Sequence, residues 1–170
     1  MKEGNYAECV VPRLPRMKDG MIKGLLLLGG CVLTIGGFFL HPILLFAAAL
    51  AWFAIFSFWS RFNVVYEYVF VDGQIDFDKI MGGDARKNAK RIDLDNALIV
   101  APERSHSLDS YRNNPSIKVF DFTSGSPEPG NPIFTVINQG EKGLERVLFE
   151  PDENMVLLMK KKAPRKVEEY

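Results

Sequence analysis

Residues 105–111 read SHSLDSY and bring a serine, a histidine and an aspartate into one short loop. Those residue types make a nucleophilic triad when the imidazole lies within about 3 Å of the hydroxyl and a carboxylate orients its far side. Neighbours on one loop seldom meet that geometry, because such triads are assembled from separated elements. No G-x-S-x-G nucleophile elbow occurs in the chain. Two other readings fit the loop better. In one, Ser and Asp side chains bond the local backbone. In the other, His106, Asp109 and Tyr111 bind a partner or a small ligand, since loops carry such sites disproportionately. The expectation is a non-enzymatic protein, with a ligand-binding protein or an enzyme using residues 103–115 as the alternative.

No metal or cofactor is expected. The only histidines are His41 and His106, the only cysteines Cys9 and Cys31, and no acidic cluster has calcium-loop spacing. Gly82-Gly83 is not a phosphate loop, for no G-x-x-x-x-G-K-[ST] occurs. Arg86, Lys87, Lys90 and Arg91 form the densest basic group. Held near a bilayer, each could gain about 1 kcal/mol from anionic lipid headgroups. The competing reading is a solvated hairpin offset by Asp84, Asp93 and Asp95. The chain as a whole has 21 basic and 21 acidic residues, and from Phe62 onward the balance is 15 to 18. That excludes a polycation seeking nucleic acid.

The element that organises the chain lies before these residues. Gly24 to Ser60 contains no Asp, Glu, Lys or Arg. One helix of that length would measure roughly 55 Å at 1.5 Å per residue, against a hydrocarbon core of about 30 Å. Two spans fit, and His41-Pro42 supplies the break between them. The spacing predicts a transmembrane hairpin within residues 21–61, with helices near 22–40 and 43–60. Leu, Ile, Val and Phe number ten in the first half and nine in the second, which favours insertion by several kcal/mol per helix. A cleaved signal peptide ending at Ala47-Ala48-Ala49 is the weaker alternative. Small residues repeat along each helix: Gly30, Thr34 and Gly37 in the first, Ala47, Ala51 and Ala54 in the second. Both sets have the spacing that stacks residues on one face, and close approach through small residues is what joins helices in lipid. These faces are expected to pack together, or one of them to meet a foreign helix.

Lys2, Arg13, Arg16, Lys18 and Lys23 precede the hairpin and Arg61 follows it, whereas the reversal carries no fixed charge. By the positive-inside rule both termini face the cytoplasm, in a multi-pass protein of the cell membrane. Trp59 and Arg61 suit the inner interface. Residues 1–20 are expected to be a cytoplasmic segment, mainly a solvated tail. A short strand at 6–11 returning to the following domain is the other possibility.

After Arg61 the period becomes that of strands. VVYEYVFV at 64–71, the Asp72-Gly73 turn and the return through Ile80 form a hairpin signal. A turn through Gly82-Gly83-Asp84 and further strands near 87–94, 97–101, 116–122, 133–138 and 144–149 follow. A helix over 151–162 has Pro151 in its first position, Met155, Leu158 and Met159 as its apolar stripe, and lysines in its last turn. The expected class is therefore an α+β membrane protein. A helical hairpin precedes a mainly-β domain at 62–170, a pleckstrin-homology-like (PH-like) meander of about seven strands capped by a C-terminal helix, with a two-layer α+β sheet as the alternative.

The segments YEYVFVDGQIDFDKIMG, KRIDLDNALIVAP, SHSLDSY and FEPDENMVLLMKKKAPRKV together resemble a family of small bacterial membrane proteins known by a domain of unknown function. The resemblance covers nearly the whole chain, and SHSLDSY and APRKV are its most specific parts. It implies a short N-terminal segment of the ECVVPR kind, two membrane helices and a cytoplasmic β-rich domain. It carries no activity, ligand or site residue. The function expected is a membrane anchor for a PH-like interaction domain that binds a protein partner or the inner leaflet. An accessory subunit of a membrane complex is a further alternative.

Overall fold

The computed structural model describes residues 6–59, 62–82, 85–141 and 143–169. Lys2, Arg61 and the Gly83-Asp84 part of the expected turn lie outside them. The chain forms two compact units. One takes the N-terminal stretch through Arg13, Val65–Ile80 and the chain from Arg86 onward; the other takes Leu14–Val64 and Met81–Ala85.

The first unit is a mixed α+β domain. Its first sheet has the order β1-β2-β3-β4, from Tyr6–Pro12, Val64–Val71, Gln74–Met81 and Ala85–Asp93. The solvated-tail expectation for the N-terminus is thus corrected, because residues 6–12 are a strand. β1 pairs antiparallel with β2 from Tyr6↔Val71 to Pro12↔Val65. The reason lies in its alternation: Ala7, Cys9 and Val11 are buried while Tyr6 and Val10 are exposed, the pattern of a half-buried strand. β2 and β3 are joined at Asp72-Gly73, where φ is +50° and +100°. A tight turn between twisted strands needs φ above zero at both central positions, which Asp tolerates and Gly adopts freely.

The second sheet has the order β5-β7-β8-β6, from Ala97–Pro102, Phe134–Gly140, Gly143–Phe149 and Lys118–Asp121. The expected seven-strand meander is corrected here as well. β5, β7 and β8 are antiparallel neighbours, but β6 lies at the edge, parallel to β8. With β1 counted as the first strand, four antiparallel strands, then three, then a helix reproduce the PH-like layout, and β6 is an addition to it. Aromatic rings join the sheets. Phe77 stacks on Phe122 at 4.9 Å and meets Phe149 edge-on at 5.4 Å, and Tyr68 lies 5.6 Å from both Phe77 and Phe149. Such pairs add about 0.5–1.5 kcal/mol each beyond burial. The Tyr68 hydroxyl donates to the Phe122 carbonyl at 2.5 Å, and burial pushes its pKa up.

The C-terminal helix α4 spans Glu153–Lys162 and packs against β1. It starts later than Pro151 because the Asp152 carboxylate accepts from the Met155 amide at 2.8 Å and acts as the N-cap. Met155, Val156 and Met159 are its buried stripe.

The second unit is the helical hairpin, α1 at Met17–Phe39 and α2 at Ile43–Trp59. The Asp19 carboxylate accepts from the Arg16 amide at the start of α1, and His41 Nδ1 accepts from the Ile43 amide at the start of α2. α1 is long and apolar enough to cross a membrane, and α2 is a shorter apolar helix. Outside their mutual contact both present bare hydrocarbon: Phe38, Phe46, Phe53 and Phe56 are 73–83% exposed.

Candidate functional site

Residues 105–112 are wound rather than extended. A 3-10 turn, His106–Leu108, leads into the single helical turn α3, Asp109–Arg112. Leu108 fixes the segment by packing with Ala101 and Ile137, and Tyr111 lies half-buried against the same cluster. The Arg112 guanidinium holds the loop from within. It donates to Asp109 Oδ1 at 2.8 Å and to the carbonyls of Glu103 and Ser105 at 2.5 and 3.4 Å. Glu103 in turn accepts from Thr135 Oγ1 and Arg146 Nη2.

His106 and Asp109 do meet, with Nδ1 3.2 Å from Oδ2, and the imidazole is fully exposed. The hydroxyls of Ser105 and Ser107 turn to another partner. Ser105 Oγ donates to Glu168 Oε2 at 2.6 Å and Ser107 Oγ to Glu168 Oε1 at 2.5 Å. These two bonds hold the Glu168 carboxyl below its ordinary pKa, Ser105 contributing more than Ser107. The serines therefore clamp the chain's own C-terminal segment. Of the three residues singled out from sequence, His106 and Asp109 form one exposed pair, and Tyr111 turns towards the core.

The four cations expected at a lipid headgroup lie on β4, but carboxylates already engage three of them. Arg86 pairs with Glu67 and, at 3.3 Å, with Asp78. Lys90 lies 2.5 Å from Glu145, and Arg91 makes a bidentate bond to Asp76 at 2.5 and 2.9 Å. Among the described residues only Lys87 of the four has no ion pair. Among the described residues no group of three His, Cys, Asp or Glu could hold an ion. Cys9 is buried, its Sγ 3.5 Å from the Glu150 carbonyl, and burial raises its thiol pKa.

Within the hairpin, Gly30, Thr34 and Gly37 face α2. A Cβ on Gly37 would lie 2.5 Å from Leu45 Cδ2 and 2.9 Å from the Leu45 amide nitrogen. Trp52 covers Gly30, and its Nε1 donates to Thr34 Oγ1 at 3.2 Å. The α2 face is corrected: Ala47 and Ala54 are exposed, and Ala51 is half-buried. The contact row runs instead through Leu45, Ala48, Trp52 and Ile55, because the bulky side chains of α2 fill hollows left by the glycines of α1. Lys23 places its ammonium 5.0 Å from the Trp59 ring and 5.1 Å from that of Phe62, where the start of α1 meets the end of α2.

The sequence matches the family described as bacterial PH-like domain (DUF6106) over residues 3–169. The chain belongs to this family. The match runs through β1, the hairpin and all later elements, so the DUF6106 unit includes the helices rather than beginning after them. Searches of curated proteins and of solved structures each found no match.

Glu168, Ser105 and Ser107 are the residues that sequence reasoning missed as a group. SHSLDSY and the neighbourhood of APRKV both stood out, but nothing in either names the other across some sixty positions.

Proposed function

We propose that this DUF6106 chain is an integral membrane protein whose hairpin crosses the bilayer twice and carries a PH-like domain that binds a protein partner. The observation that supports it most is the Pro12↔Val65 pairing. The hairpin leaves the sheet at the end of β1 and returns at the start of β2, so both its ends belong to one side of any membrane. A lone crossing by α1 would separate two hydrogen-bonded strands. If α1 spans, α2 spans back, and its 17 residues reach roughly 26 Å, close to the hydrocarbon thickness.

The exposed apolar surface of both helices needs lipid or an equivalent cover. Lys23 over Trp59 and Phe62 suits a headgroup boundary, where aromatic rings and snorkelling cations gather. Arg13, Arg16, Lys18 and Lys23 on that flank support a cytoplasmic side for both termini by the positive-inside rule. A protein partner is favoured over the leaflet as ligand because three of the four β4 cations, Arg86, Lys90 and Arg91, are engaged by Glu67, Asp76, Asp78 and Glu145. The domain is read as non-enzymatic, since the Ser105 and Ser107 hydroxyls that flank the exposed His106 bond Glu168 instead.

Alkaline carbonate washing of native membranes, followed by affinity purification in mild detergent, tests both halves. The chain stays with the pellet and co-purifies a stoichiometric protein. Release into the wash would refute the anchor, and enrichment of anionic lipid alone would refute the protein partner.

A further inference from the structure

β5 is an edge strand of the second sheet, and one short piece of chain occupies its free edge. The Val100 amide donates to the Lys166 carbonyl at 2.7 Å, and the Glu168 amide donates back to the Val100 carbonyl at 2.8 Å. Val167 thereby forms an isolated parallel bridge with Val100, and its side chain is buried. The next residue, Glu168, places its carboxylate between the hydroxyls of Ser105 and Ser107. An extended segment is thus read in two ways: by main-chain bonds to an edge strand, and by an apolar side chain followed by an acidic one. That is the recognition logic of strand addition. The occupant is held by one bridge and a few side chains, with Pro164 just upstream limiting further pairing. It is an intramolecular ligand of small extent.

We propose that the β5 edge and the Ser105/Ser107 hydroxyls form a docking groove for an extended protein segment bearing an apolar residue followed by a carboxylate, and that Val167-Glu168 keeps it closed. The native occupant defines the chemistry of its competitor. A partner segment gains the same two main-chain bonds and the same pair of hydroxyl donors once the tail lifts. Because the tail is tethered, its effective concentration is high, and a free peptide competes poorly until the tail is released. This deepens the protein-partner reading by naming where the partner binds.

The test uses the full-length protein in detergent, the same protein ending at Pro164, and a fluorescent peptide of sequence APRKVEE read by anisotropy. The shortened protein binds the peptide saturably, at least tenfold more tightly than the intact one. Replacing Val by Asp in the peptide, or Ser105 and Ser107 by Ala in the protein, abolishes that gain. A shortened protein that keeps amide protection in β5 and β7 but binds nothing overturns the groove, as does equal binding by the intact chain. Should shortening unfold the domain, Glu168→Gln in the intact chain serves instead: it raises peptide affinity, and unchanged affinity overturns the proposal. A partner that still co-purifies while the shortened protein ignores the peptide removes the groove alone. Peptide binding without any co-purifying partner upholds the groove and removes the reading beneath it.

Discussion

Glu168 shows how a single carboxylate ties distant sequence together, and its titration gives a direct check. Its folded pKa is held below the ordinary value by Ser105 and then Ser107. A depressed carboxylate contributes stability that is present above its unfolded pKa and lost as pH falls through the folded one. The tail should therefore loosen only in acid, below the ordinary glutamate range near pH 4.3. Carbon-detected NMR of the Glu168 carboxyl reads this, and Ser105→Ala should move the midpoint upward; an unmoved midpoint contradicts the clamp. His106 behaves differently, being fully exposed. His106→Ala should change stability by no more than about 0.5 kcal/mol, whereas Tyr111→Ala, which strips a contact from Leu108 and Ile137, should cost about 1–3 kcal/mol in a denaturant titration. A Tyr111 defect at unchanged stability would restore it as a binding residue. SHSLDSY was conspicuous in the sequence because polar residue types cluster there. Which of them bond one another was not legible, since the partner of both serines lies beyond α3, three further strands and α4.

At the scale of elements, hydropathy revealed the two helices and alternation revealed most strands, because both signals are local. Pairing is not local. β1 carries a readable alternation from Tyr6 to Pro12, yet its partner lies across the whole hairpin. β6 joins β8 in parallel at an edge that no turn signal marks. α2 is apolar on every side, so its sequence has no preferred face, and only glycine hollows on α1 decide that Trp52 and Ile55 turn inward. Two predictions follow from these contacts. Gly37→Ala drives a Cβ into Leu45 and should destabilise the hairpin by about 1–3 kcal/mol. Gly29→Ala, with open space around it, should be neutral in the same thermal assay in detergent. A fragment beginning at Phe62 lacks β1 and uncovers the strand and helix surface that Ala7, Cys9 and Val11 bury. It should aggregate, and restoring residues 6–12 through a short glycine-serine linker should return it to solution. A stable, monomeric 62–170 fragment would contradict the role assigned to β1.

For the whole molecule, the β domain is interrupted rather than preceded by its helices. A PH-like sheet opens between its first and second strands to release the hairpin, and the Pro12↔Val65 register closes behind it. If the hairpin spans a membrane as proposed, this register requires an even number of crossings. The measurement that tests this most directly is cysteine accessibility in intact cells and inverted vesicles. Single cysteines replace His41 and Arg165 in a background with Cys9→Ser and Cys31→Ser, and a membrane-impermeant maleimide is the probe. The account predicts that position 41 labels only from outside the cell and position 165 only from within. Labelling of both positions from the same side, at equal rates, would contradict it.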